Sequence, residues 1–200
     1  ADGPKTVRME LKDKAGNTDS FQDPITLDLD TPTGSVLLNN GDEFVTSRDI
    51  TLTLTQSDQG SGIKEVRYQV EGGVWTNWEA ASSEKSLTLA DQDGLQTVLY
   101  EVKDNTDKIS QFSDAITLDR SLPTGTIEVN DGDPYSTSRD VTLTLTGADE
   151  TSGLDQMRFS QDGGASWTPW EDFSATKDLT LQGADGPKTV RMELKDKAGN

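Results

Sequence analysis

The chain repeats itself. Ala1–Asn17 reads ADGPKTVRMELKDKAGN, and Ala184–Asn200 reads the same, letter for letter. A looser copy, DGLQTVLYEVKDNTDK, runs from Asp93 to Lys108. These copies set a period of roughly ninety residues, which is the length of an autonomous domain rather than of one solenoid turn. The chain is therefore read as a window on a tandem array. Such arrays cover distance or present surfaces, and they are rarely enzymes.

Within the period, fixed points align. Pro32-Thr33-Gly34 matches Pro123-Thr124-Gly125, Ser47-Arg48-Asp49 matches Ser138-Arg139-Asp140, and the TLTLT of 51–55 matches that of 142–146. Gly72-Gly73 matches Gly163-Gly164. After one inserted residue, Trp75, Trp78 and Glu79 match Trp167, Trp170 and Glu171. Between these points the apolar residues alternate with polar ones. Val66, Tyr68 and Val70 oppose Glu65, Arg67 and Gln69, while Val190, Met192 and Leu194 oppose Arg191, Glu193 and Lys195. Period two marks strands with one buried and one wet face. Asn40-Gly41, Asp131-Gly132, Asp93-Gly94 and Asp185-Gly186 supply the positive φ angles of tight reversals.

For the first unit this predicts strands near 34–39, 49–56, 63–71, 75–81, 85–89, 96–103 and 111–118. The fold class follows: all-β, with tandem immunoglobulin- or fibronectin-III-like antiparallel β-sandwiches in an extended array. Ile25–Asp28 (ITLD) recurs as Ile116–Asp119 and reads as the last strand of a unit. Residues 1–28 are then the tail of a preceding repeat, 29–119 a complete repeat, and 120–200 a repeat lacking its last strand. The joints 29–31 and 120–122 are short and followed by proline, which favours a stiff connection. A sandwich short of a strand leaves a sheet edge open. Either the array continues or a neighbouring chain supplies the strand, and the second case implies self-assembly into a fibre.

Apolar residues make up only 31% of the chain, yet their strict alternation argues against disorder. The net charge is −18, from 36 acids and 18 bases. That balance excludes a nucleic-acid backbone as partner and disfavours anionic membrane surfaces, and it suits an extracellular protein that recruits cations. Cysteine and histidine are both absent, which removes disulfides, thiolate zinc sites, cysteine nucleophiles and the commonest general base. No apolar run approaches the length of a membrane span.

The string DGGASWTPWEDF (Asp162–Phe173), followed by KTVRMELKDKAGN (Lys188–Asn200), resembles the repeat signature of bacterial immunoglobulin-like domains. The PTGS and PTGT openings and the TLTL strands agree with it. The resemblance covers essentially the whole chain. It implies membership of a large secreted or surface-anchored protein such as an adhesin, and hence a spacer or adhesive stalk whose partners are neighbouring repeats. The first full unit departs from the pattern at Asn105-Thr-Asp-Lys108, where the other copies carry Lys-Ala-Gly-Asn.

Two constellations are candidates for binding. Asp58 and Asp149 open equivalent loops, and Asp104 and Asp196 close equivalent strands. In an immunoglobulin-type sandwich these loops share the pole where the chain enters, so the entering residues Asp28 and Asp30, or Asp119, would approach them. Carboxylates and amide oxygens around a joint suit calcium, which takes six to eight oxygen ligands. The alternative is that these residues are ordinary turn formers bonded to their own backbone. The tryptophans Trp75 and Trp78, and Trp167 and Trp170, stand three apart, which on a strand puts one ring in the core and one on the surface. An outer ring would stack on a surface glycan, or cover the stems of Arg or Lys. Outward Arg67 and Glu101, and Arg158 and Glu193, are predicted to pair across neighbouring strands. The solvated acids lack the enclosed pocket that splits the pKa values of a catalytic pair, so no enzymatic activity is expected.

Overall fold

The computed structural model describes residues 2–200. The chain falls into two compact units. One takes the residues up to Asp42 with 48–91 and 95–116, and the other takes 43–47, 92–94 and 117–200. It begins with an antiparallel hairpin of β1 (Gly3–Lys12) and β2 (Thr18–Leu27), in register from Gly3 opposite Leu27 to Lys12 opposite Thr18. Then follow β3 (Thr33–Leu38), β4 (Phe44–Val45), β5 (Asp49–Ser57), β6 (Ile63–Val70), β7 (Glu84–Thr88), β8 (Gly94–Asp104) and β9 (Ile109–Leu118). These form two sheets, β3-β5-β7 and β4-β9-β8-β6. The short β4 runs parallel to β9. The later strands are β10 (Thr124–Val129), β11 (Asp140–Ala148), β12 (Leu154–Ser160), β13 (Glu171–Asp172), β14 (Thr176–Thr180) and β15 (Arg191–Asp196). They make the sheets β10-β11-β14 and β13-β12-β15. The fold is all-β, in antiparallel sandwiches of immunoglobulin or fibronectin-III type.

The alternation produces the core. On β5, Ile50, Leu52 and Leu54 are buried, and on β11 so are Val141, Leu143 and Leu145, while the threonines between them face outward. Against the first set lie Val66, Tyr68, Val98, Tyr100 and Val102, all fully buried. The two sheets touch directly. Tyr100 Oη donates to Gln56 Oε1 at 2.9 Å, and a Cβ on Gly34 would stand 3.1 Å from the Phe112 ring. Tyr68 and Tyr100 stack with centroids 5.5 Å apart. In the second unit Met157 and Phe159 complete the core, and Met192 and Leu194 are only partly buried against it. Burying each such side chain stabilises by about 1.5–3 kcal/mol.

One predicted strand is absent. Residues 75–81 are irregular, with Glu79 alone bridging to Val66. The other six expected strands are present, with ends moved by one or two residues. The alternation gave no sign of β4. Its two residues are held by β9, with Thr117 N donating to Glu43 O and Asp119 N to Val45 O. The equivalent Tyr135-Ser136 is irregular, and Tyr135 is 89% exposed. Asn40-Gly41 and Asp131-Gly132 lie in three-residue 3₁₀ turns, Asn39–Gly41 and Asn130–Gly132, with Asn40 at φ 60 and Asp131 at φ 55. Asp93-Gly94 and Asp185-Gly186 instead reverse the chain with the positive φ on glycine alone, Gly94 at 115 and Gly186 at 129.

Candidate functional site

The acidic residues gather into two equivalent clusters. Asp28, Asp58 and Asp104 each offer a carboxylate oxygen within 4.8 Å of the others, and so do Asp119, Asp149 and Asp196. Asp30 does not join them. Its amide instead donates to Asp2 Oδ2 at 3.1 Å, and its side chain is not part of the cluster.

Local chemistry fixes each member. Asp58 and Asp149 begin tight loops. Asp58 Oδ2 accepts the amides of Ser61 and Gly62, and Asp149 Oδ1 accepts those of Thr151, Ser152 and Gly153. Burial pushes the Asp149 carboxyl up, but the Gly153, Ser152 and Thr151 amides outweigh it and hold the group below its usual range. Asp104 and Asp196 end β8 and β15 and accept loop amides through one oxygen each. Asp104 Oδ1 takes Thr106 N and Lys108 N, and Asp196 Oδ1 takes Gly199 N and Asn200 N. The entering aspartates tie in from the segments just before β3 and β10. Asp28 Oδ2 accepts Ser61 N at 3.1 Å, and Asp119 Oδ2 accepts Ser152 N at the same distance.

The ordinary turn chemistry is thus realised in part, because one oxygen of each of Asp58, Asp104, Asp149 and Asp196 serves its own loop. The remaining oxygens differ between clusters. In the first, Lys108 Nζ lies 2.9 Å from Asp28 Oδ1, 3.0 Å from Asp28 O and 3.6 Å from Asp104 Oδ2. Hydrogen bonds from Ser61 and Lys108 hold the Asp28 carboxyl below its ordinary value. Burial would lower the Lys108 pKa, but bonding to Asp28 and the charge of Asp104 raise it overall. In the second cluster the equivalent residue is Asn200, whose Nδ2 donates to Asp119 O at 3.0 Å. Asp119 and Asp196 are fully buried, as is Asp104 in the first cluster, and Asp196 Oδ2 and Asp104 Oδ2 both lack a hydrogen-bond partner; what separates them is the Lys108 ammonium 3.6 Å from Asp104 Oδ2. Among the described residues, none of the ion pairs involves Asp119, Asp149 or Asp196. Like charges about 4 Å apart repel by about 4 kcal/mol at an effective dielectric near 20, so such a group calls for a positive partner. Oxygen donors alone fit a hard divalent cation, and donors up to about 4.8 Å apart are within reach of one ion with bonds near 2.4 Å. Sequence reasoning saw the Lys108 departure but not its role, because the aspartate it meets first lies eighty residues earlier.

The tryptophans are arranged differently from the expectation. All four are half-buried, and none belongs to the core. Residues 75–78 belong to no strand, so the alternation of a strand does not apply to them, and both rings of each pair flank one arginine. The Arg67 guanidinium lies 4.6 Å from the Trp75 ring and 4.4 Å from the Trp78 ring, and Arg67 Nε reaches Glu101 Oε2 at 2.7 Å. Lys103 Nζ adds a contact 3.7 Å from the Trp78 ring. In the second unit Arg158 lies 5.0 Å from Trp167 and 4.4 Å from Trp170 and pairs with Glu193. The predicted cross-strand pairs are therefore present, each gripped by two indoles. Cation–π contacts of this kind stabilise by about 0.5–2 kcal/mol.

Fold and sites together describe two β-sandwich units that repeat the same arginine, tryptophan and aspartate arrangements. Compared with protein-family models and with curated proteins, the chain has no match. Among solved structures it is similar to the fibronectin(III)-like modules of Clostridium thermocellum CbhA, at 12% identity and TM-score 0.44, over 82% of this chain and 87% of that one. It is also similar to a tetra-tandem repeat in the extending region of a large adhesion protein, at 20% identity and TM-score 0.32, over 100% of this chain and 54% of that one. Carbohydrate-binding modules from the β-sandwich superfamily match at 11% identity and TM-score 0.41, over 86% of this chain and 94% of that one. Among the described residues, no helix is long and apolar enough to cross a membrane.

Proposed function

We propose that this chain is a structural segment of an extracellular bacterial surface protein, where a run of β-sandwich repeats acts as a spacer or stalk. The supporting observation is that the residues recurring between units bond to one another. Arg67 with Trp75, Trp78 and Glu101 reappears as Arg158 with Trp167, Trp170 and Glu193. The loop amides of Ser61 and Ser152 likewise hold the entering Asp28 and Asp119. On this reading a divalent cation, calcium by its oxygen donors, binds Asp119, Asp149 and Asp196 and fastens the entering chain to its sandwich.

Single-molecule stretching of the chain tests the mechanical role. Each sandwich should resist and then release in one step of roughly 300 Å, the contour of about ninety residues. A chain that extends without discrete resistance would overturn the proposal. Titration with glycans, followed by tryptophan emission, separates the adhesive alternative. A saturable change lost in Trp78→Ala and Trp170→Ala would transfer the function to sugar recognition.

A further inference from the structure

We infer that Lys108 is a tethered counter-ion that takes the place of a divalent cation in the first acidic cluster. The chain then binds one ion, at Asp119, Asp149 and Asp196, and a single position in each repeat decides whether that repeat depends on metal. The inference rests on the cation reading of the second cluster given above.

Three copies of one loop carry it. In the β1–β2 hairpin, Asp13 accepts the Ala15 and Asn17 amides through Oδ1, and the Asn17 side chain folds back to donate to Asp13 Oδ2 at 2.8 Å. Here the loop satisfies both oxygens of its own aspartate. The identical loop after β15 does not. Asn200 turns its Nδ2 to Asp119 O, and Asp196 Oδ2 is left buried without a partner beside two further carboxylates. A buried, unpaired carboxylate oxygen costs several kcal/mol unless a positive group meets it. In the loop after β8 that positive group is supplied by the chain. Lys108 Nζ bonds Asp28 Oδ1, Asp28 O and Thr106 Oγ1, the last at 2.7 Å, and stands 3.6 Å from Asp104 Oδ2, which like Asp196 Oδ2 accepts no hydrogen bond but here faces a positive charge.

The basic residue has changed place between the two loops. The second loop reads Asp196-Lys-Ala-Gly-Asn200, and the first reads Asp104-Asn-Thr-Asp-Lys108. Lys197 Nζ lies near Gly153, 3.9 Å from where a Cβ would stand, and pairs with none of the three acids. Its counterpart Asn105 uses Nδ2 to bond Ser61 O and Gly62 O. An ammonium at the second loop position therefore leaves the cluster open, whereas one at the fifth position fills it. An ammonium makes a few directed contacts and cannot gather the six to eight oxygens that calcium can. The first cluster is accordingly insensitive to chelators, and the second is not.

Native mass spectrometry of the folded chain in calcium, with and without chelator, counts the ions. Wild type should hold one, Lys108→Asn two and Asn200→Lys none, with folding of each variant checked by circular dichroism. A wild type that holds none sinks the cation reading of the second cluster itself. A wild type with one ion, retained in Asn200→Lys, shows that lysine at this position does not displace metal and overturns the inference alone. The inference falls equally if wild type holds two ions, or if folded Lys108→Asn still holds one. Where Lys108→Asn fails to fold without calcium, recovery of its spectrum on calcium addition supports the inference, and failure to recover leaves the decision to Asn200→Lys.

Discussion

The two sandwiches share a plan and differ in how deeply the apolar face of the second sheet is buried. In the first unit β9 lies beside β8, and Val98, Tyr100 and Val102 are fully buried. In the second, among the described residues, β15 has β12 as its paired neighbour, and the equivalent Val190, Met192 and Leu194 are half-buried. The β1 hairpin extends the series. Its Val7, Met9 and Leu11 repeat the letters of β15 and are 66%, 52% and 52% exposed. One strand pattern thus occurs with three degrees of burial. The alternation decides which face is apolar, and the neighbours decide how far that face leaves water. The acidic loops follow the same logic, since identical letters after β1 and β15 bond differently according to which other carboxylates reach them.

The largest expected effect separates the units directly. Tyr100→Ala removes a fully buried ring and should destabilise the first unit by about 3–5 kcal/mol, whereas Met192→Ala at the same place in the second should cost about 1–2 kcal/mol. Denaturant unfolding followed by hydrogen exchange in each unit measures both, and equal costs would break the contrast. A second pair of variants probes what the units have in common. Arg67→Ala and Arg158→Ala each lose a two-indole stack and one carboxylate partner, and should cost a similar amount, about 1–2 kcal/mol, by the same measurement.

A further contrast comes from the tyrosines that only the first core contains. Burial raises the Tyr68 pKa to about 12, with the Glu79 charge adding to it, and burial also pushes Tyr100 upward. A folded pKa above the unfolded value of 10 gives stability that is complete below pH 10. That stability is lost as pH rises from 10 toward 12. Exchange in the first unit should therefore accelerate over that window ahead of the second, whose equivalents are Phe159 and Met192. Tyr68 Oη has no hydrogen-bond partner, so Tyr68→Phe should leave stability unchanged or slightly raised, while Tyr100→Phe loses the Gln56 bond and about 0.5–1.5 kcal/mol. Equal responses from the two would show that the contact to Gln56 adds nothing.

By itself the sequence determined the all-β class, the period, most of the strands and the pairing of Arg67 with Glu101 and of Arg158 with Glu193. All of these follow from residue spacing on an extended chain, where period two is a local property. The sequence also pointed to every aspartate that gathers in the two clusters, because loops at one pole of a sandwich must meet. Only the tertiary structure decided that Trp75 and Trp78 flank one guanidinium, that Asp30 stays apart, that β4 forms where β9 can hold it, and that Lys108 reaches Asp28 from eighty residues away. Each of these depends on where side chains from distant segments stand in space, and alternation along a strand carries no information about that.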